Sequence, residues 1–280
     1  MAPVEGNRAL PEQRVRQAAA ARFRVSARIS DRTRKVMRDI ILAGPAILGV
    51  LSGNAMAGPP YISDDPEPTD YQHYEIYLFT SGMNARDGTS GAFGVDFNYG
   101  GMPDLQLTAV APVAYNSPAV GSAVAGLGNV ELAAKYRFLH QSEIGWDIAV
   151  FPRVFLPSGS VRVGESHASL FMPLWLEKDW GSWSAFGGGG CALNRGSGSQ
   201  DFCQAGWVLT RQILPRLQLG AEIVHQTADK IGGRASTGIG VGIRYDISDN
   251  FHLLGYVGPG LQDAADTARY SWYASVLLTF

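Results

Sequence analysis

Few residues of this chain are typed and spaced for chemistry, and they sit far apart. His225 is the best candidate for a general base, because a positioned imidazole can take a proton from a hydroxyl. Its possible partners on the next segment are Ser236, whose parity places it on the opposite row, and Thr237, whose parity matches but which is a poorer nucleophile. No third group orients the pair, so the triad logic stays incomplete and no catalytic residue is assigned. The other four histidines are His73, His140, His167 and His252. Cys191 and Cys203 stand symmetrically about Ser197, so a hairpin there would place them opposite each other on one face, as a cross-strand disulfide requires. They resemble no CxxC redox or metal motif. The run Gly187 to Gly190 is not a phosphate loop, since no helix follows and no lysine closes it. It reads as a bend in a strand or as room for an inward-folding loop, the bend being favoured. Asp64, Asp65 and Glu67 alternate with prolines in "GPPYISDDPEPTD". This stiff acidic segment could pair with Arg137, Arg211 or Arg244, hold a divalent cation, or stand in solvent. The expectation is no metal and no cofactor.

The elements that would position these residues follow from composition. Charged residues are 17% of the 280, and glycine, at 34, is abundant, which disfavours a helical protein. The basic charge is concentrated in residues 1–57, with ten Lys+Arg against four Asp+Glu, while the remainder carries a net charge of −8. A nucleic-acid partner is therefore excluded. Within that leader, "IILAGPAILGVLS" followed by Ala55-Met56-Ala57 reads as a signal peptide cleaved before Gly58, with Met37 as an alternative start. Residues 58–70 then form a Pro-rich acidic periplasmic segment, and 71–280 the folded domain.

From residue 71 onward the period is two. "NVELAAKYRF" sets Val130, Leu132, Ala134, Tyr136 and Phe138 against Glu131, Lys135 and Arg137. The pattern predicts strands over 71–81, 91–100, 105–115, 128–138, 144–156, 166–177, 183–193, 202–212, 217–226, 236–247, 251–259 and 269–280. Connections alternate long and short, the first long one being 82–90. An even strand number with loops sorted by length predicts a twelve-stranded antiparallel transmembrane β-barrel. Charges share the row opposite the apolar one, so Glu75, Asp96, Glu131, Lys135, Arg137, Asp147, Arg153, Glu222 and Arg244 are expected to line the lumen, because a charge at mid-bilayer on the lipid face costs about 2–4 kcal/mol. They would form either a pore lining or a salt-bridged filling. Aromatic residues near the short turns, among them Tyr99, Trp146, Trp183 and Phe280, suit an interfacial girdle.

Phe280, ending an alternating strand, also resembles the terminal signal read by the barrel-assembly machinery, which implies a Gram-negative outer membrane. The stretches "GPPYISDDPEPTDYQHYEIYLF", "ELAAKYRF", "FMPLWLEKDWGSWSAFGGGG" and "GRASTGIGVGIRYDISDNFHLLGYVGPGLQ" resemble the family of outer-membrane barrels labelled as the meta-pathway of phenol degradation. The resemblance implies an outer-membrane channel or transporter for small aromatic or amphipathic solutes, with outer-membrane lipids as its surroundings. It carries over no binding residue. Alternatives are a rim lipid hydrolase using His225 and a structural barrel with a filled lumen.

Overall fold

The computed structural model of the chain describes residues 60–160 and 162–280. The leader, its cleavage before Gly58 and the alternative start at Met37 lie outside the described residues. The strands are β1 (Tyr74–Ala85), β2 (Gly88–Met102), β3 (Leu105–Pro118), β4 (Val124–Leu127), β5 (Glu131–Leu139), β6 (Asp147–Val150) and β7 (Arg153–Phe155). After these come β8 (Ser169–Trp180), β9 (Trp183–Leu193), β10 (Phe202–Leu214), β11 (Leu217–Gln226), β12 (Ser236–Ser248), β13 (Phe251–Gln262) and β14 (Tyr270–Thr279). One helical turn, α1 (Gln141–Ile144), sits in a turn and stops at Gly145, whose φ of +83° suits a residue without Cβ.

All fourteen strands belong to one antiparallel sheet, and β1 pairs with β14 from Glu75–Thr279 to Asn84–Tyr270, so the sheet closes. Two crossings are each broken in two. β4 and β5 both pair with β3, and β6 and β7 both lie between β5 and β8. The barrel therefore has twelve crossings. Closure leaves no edge and satisfies the backbone internally, as a bilayer demands. The break between β6 and β7 falls at Pro152, which has no N–H for the ladder. The neighbouring bonds Phe151 N–H to Pro173 O (3.2 Å) and Ala134 N–H to Pro152 O (3.2 Å) keep it attached. The break between β4 and β5 is stitched by the following outer loop, whose Ser160 N–H reaches Leu127 O at 2.7 Å and whose Leu156 N–H reaches Val130 O at 2.8 Å.

The two rows of each strand have the burial of an inside-out protein. Leu78, Ile223 and Val241 are 50%, 52% and 59% exposed, whereas Glu131, Lys135 and Glu222 are buried. In water this arrangement would be unstable, and in hydrocarbon the apolar row is solvated instead. At the short-turn end Tyr74 stacks on Tyr99 at 4.7 Å, Arg211 lies 4.9 Å over Trp183, and Lys178 lies 5.4 Å over Trp146. This aromatic stack and these two cation–aromatic pairs mark an interfacial belt. Phe280 and Tyr74 exchange backbone hydrogen bonds, each 3.0 Å, next to the closing seam.

Several details differ from the sequence reading: β4 lies in the stretch 116–127 expected as a connection, the strand expected over 144–156 begins at Asp147 and is broken in two, and the strand expected over 251–259 runs on to Gln262. The first outer connection is not a long loop over 82–90. β1 and β2 run on to the pair Ala85–Gly88, leaving Arg86 and Asp87 as a two-residue turn. Gly88 is the first residue of β2, and a Cβ there would collide with the backbone of β3 at Ser117 and Pro118. The strand expected over 166–177 runs over Ser169–Trp180, because the chain after the outer loop enters the sheet three residues later.

Candidate functional site: the barrel interior and its strap

Residues 60–70 do not hang in solvent but lie within the inward rows of the barrel. Ser63 and Asp65 are each only 1% exposed. Prolines 60, 66 and 68 keep this strap extended and present no N–H that would need an acceptor. Two kinds of wall hold it.

On one side the wall has almost no side chains. The ring of Tyr61 meets Phe186 and Tyr256 edge-on, with centroids 5.8 and 6.0 Å away. Beneath it are Gly220 of β11 and Gly242 of β12, where an added Cβ would collide with the Tyr61 hydroxyl and ring. Gly206 of β10 lies beneath Ser63 in the same way. Glycine is required here by the close approach of a second chain segment. Glu222, among these glycines, accepts the Ile62 N–H at 3.1 Å and the Ser63 N–H at 2.6 Å.

On the other side the wall is polar. The Lys135 ammonium donates to Asp64 Oδ1 at 3.0 Å, Asp65 Oδ1 at 3.2 Å and the carbonyl oxygen of Glu67 at 3.2 Å. The Phe151 ring lies 5.0 Å from the same ammonium. Arg137 stands 3.9 Å from Glu67 while donating to Asp104 at 3.0 Å and lying 3.8 Å from Asp147. Thr69 N–H donates to Gln106 Oε1 at 2.8 Å, and the Gln106 amide donates to Asn98 at 2.7 Å and to Thr108 at 2.9 Å. These buried polar groups are hydrogen-bonded to one another, as burial requires.

Of the remaining charges of the inward rows, some pair with one another and others, among them Glu177 with the Ser184 hydroxyl, are held by neutral donors. Arg153 grips Glu131 with two bonds of 2.6 and 3.0 Å and lies over Phe151 and Phe155. Arg244 donates to Asp246 at 3.0 Å, and His252 is 2.6 Å from the same carboxylate. Glu75 accepts from the Tyr77 hydroxyl at 3.1 Å, and Asp96 from Asn98 at 2.9 Å. Of the nine residues singled out from sequence, Lys135, Arg137 and Glu222 thus meet the strap. Glu131 joins Arg153, Asp147 joins Arg137, Asp96 reaches the strap only through Asn98 and Gln106, and Glu75 and Arg244 belong to separate local networks. The strap does not pair with Arg211 or Arg244. Arg211 is on the outward row over Trp183, and Arg244 is held by Asp246. Parity gave the face of each residue but not its height along the barrel. The sequence reading also missed Gln106, Tyr61, Tyr256 and the glycine floor. Inward-parity glycines on three successive strands were the available signal.

A divalent cation at the acidic segment is not what the geometry offers. Asp64 and Asp65 are occupied by the Lys135 ammonium, and among the described residues no group of three His, Cys, Asp or Glu side chains could hold a metal ion. The glycine run of β9 stays paired with β8 and β10 without a register shift; Gly187 and Gly188 have φ of +157° and +146°, and a Cβ on Gly188 or Gly190 would collide with carbonyls of β8. Cys191 and Cys203 face each other across β9 and β10 and are bonded, with the sulfurs 1.96 Å apart. On the outward row, His225 Nδ1 is 2.8 Å from Thr237 Oγ1, and the Thr237 hydroxyl donates to Gln262 Oε1 at 2.8 Å. Ser236 lies opposite Gln226, away from the imidazole.

The fold has relatives. The COG4313 outer membrane channel from Pseudomonas putida F1 is similar with a TM-score of 0.60, at 14% identity over 80% of this chain and 100% of that one. The β domain of the Bordetella autotransporter BrkA is similar with a TM-score of 0.51, at 13% identity over 75% of this chain and 99% of that one. At such identities the likeness is one of fold, and it is to barrels of the outer-membrane type. Among curated proteins none matches the chain in sequence. Residues 88–271, well over half of the chain, match the family described as "Putative MetA-pathway of phenol degradation", and the chain belongs to that family.

Proposed function

We propose that the chain forms a passive channel in a Gram-negative outer membrane, through which small amphipathic or aromatic solutes run down their gradients. The observation that carries this reading is the nature of the interior. It is held by ion pairs and hydrogen bonds, and the segment crossing it is a strap rather than a packed core. Shape and charge hold the strap, and both can be exchanged for a passing solute. A barrel built only for structure would fill its lumen with its own wall residues. This wall instead leaves glycines at Gly206, Gly220 and Gly242 where a second segment lies. In this reading residues 1–57 direct export and Phe280 is offered to the assembly machinery.

Liposome swelling with small neutral solutes tests the proposal. Protein lacking residues 60–69 is expected to admit them faster than the intact protein. If neither form admits any solute while both run as folded barrels on unheated gels, the lumen is merely filled and the channel reading is wrong.

A further inference from the structure

The Lys135 ammonium is held by two carboxylates of its own chain. The residue is 4% exposed, and among the described residues each of its hydrogen bonds and ion pairs runs to the strap. Among the described residues no wall carboxylate forms an ion pair with Lys135: Glu131 is committed to Arg153, Asp147 lies beside Arg137, Glu177 accepts from the Ser184 hydroxyl and Asp96 from Asn98. Removing the strap would therefore leave an ammonium within the barrel without its counter-charge, which is strongly unfavourable. The face of Phe151 behind Lys135 belongs to an inward aromatic cluster with Phe171 and Trp175. The Trp175 indole N–H in that cluster is buried and has no acceptor among the described residues. The strap itself presents an aromatic ring, Tyr61, in its own pocket a few residues before the two carboxylates.

We infer that the strap is a tethered stand-in for the solute, and that the solute it mimics is an arylalkanoate. Its carboxylate would replace Asp64 and Asp65 on Lys135, and its ring would lie where the strap's apolar part now packs. This rests on the channel reading and narrows it to one substrate class. The exchange is one of ion pairs, with no bond made or broken. A neutral analogue of the same shape cannot supply the charge that Lys135 needs when the strap leaves, so it is the poorer ligand.

The test is calorimetric binding of 4-phenylbutyrate and 4-phenylbutanamide to the purified, folded protein. The intact protein is expected to bind the acid at least about tenfold more tightly than the amide, the ratio that one modest ion pair supplies. The variant with Asp64→Asn and Asp65→Asn loses the internal competitor and is expected to bind the acid more tightly still. Adding Lys135→Met to that double variant, which removes all three charges of this cluster together and so strands none of them, should bring acid and amide to equal affinity. Equal affinities in the intact protein and in the double variant, or a preference for the acid that survives Lys135→Met, would overturn the inference. Swelling with neutral solutes is read in parallel. Normal swelling without acid preference refutes only the arylalkanoate, whereas acid preference without any swelling refutes only the channel.

Discussion

The two walls that hold the strap solve one problem by opposite means. The β2–β5 side offers charge and hydrogen bonds: Lys135 takes two carboxylates, and Gln106 takes a backbone N–H and a hydroxyl. The β10–β12 side offers absence, with Gly206, Gly220 and Gly242 forming a floor on which Tyr61 and Ser63 lie directly. The charged side is specific for sign and tolerant of shape, since any carboxylate within reach can satisfy an ammonium. The glycine side is specific for shape and indifferent to sign. A strap gripped in both ways is held in register, tethered where it runs on into β1, and can still be exchanged.

Breaking the charged side should have the largest effect. Lys135→Met leaves Asp64 and Asp65 buried without a partner, and breaking a buried pair in this way costs about 3–5 kcal/mol. The strap is expected to leave the lumen, which limited proteolysis reads as rapid loss of residues 60–70 from an otherwise resistant barrel. Adding Asp64→Asn and Asp65→Asn should restore much of the protection, because the penalty lies in the stranded charges rather than in the missing lysine. If the triple variant is as labile as Lys135→Met, the grip is not electrostatic.

The glycine side should yield less and respond to a different rescue. Gly220→Leu puts a side chain where the Tyr61 hydroxyl lies, and overpacking of this kind costs about 1–3 kcal/mol. Tyr61→Ala in the same protein should relieve it, and the double-mutant cycle gives the coupling between the two positions directly. Charge removal at Asp64 and Asp65 should not relieve it. A cycle with no coupling would mean that Tyr61 moves aside freely and the floor is not a shape filter.

The same contrast explains what the sequence could disclose. The barrel was legible because one period-two pattern runs through every crossing, and because lipid on one side and enclosure on the other sort Leu132 from Glu131 and Ile223 from Glu222. The disulfide position was legible because a hairpin fixes its own register through local symmetry. The strap's partners were not, because Lys135 is 70 residues from Asp65 and Glu222 is 159 residues from Ser63. Contacts at such separations depend on strand stagger, which local periodicity does not encode. The first outer connection was misjudged for a local reason: the polar, glycine-containing stretch 82–90 lacks apolar alternation and reads as a loop, although its residues pair from Gly82–Gly91 to Ala85–Gly88.

The smallest effect is expected outside both walls. His225, Thr237 and Gln262 form a chain of hydrogen bonds on the outward row, and of all the described histidines His225 is the one beside a hydroxyl on the lipid-facing surface. Were this a hydrolytic site, the imidazole would have to accept the hydroxyl proton. In the structure the Thr237 hydroxyl donates to Gln262 instead, which leaves the imidazole to donate to Thr237 through Nδ1. The polar chain then serves to place hydrogen-bonding groups at the headgroup level, where their loss is compensated by water and lipid. His225→Ala should change stability by no more than about 0.5 kcal/mol, as exposed substitutions generally do. Swelling rates and acid-over-amide preference should be unchanged, and neither protein should release fatty acid from phospholipid vesicles. Release by the intact protein that His225→Ala abolishes would move the chemistry from the lumen to the rim, and the comparison of the two walls would then describe only how the strap is held.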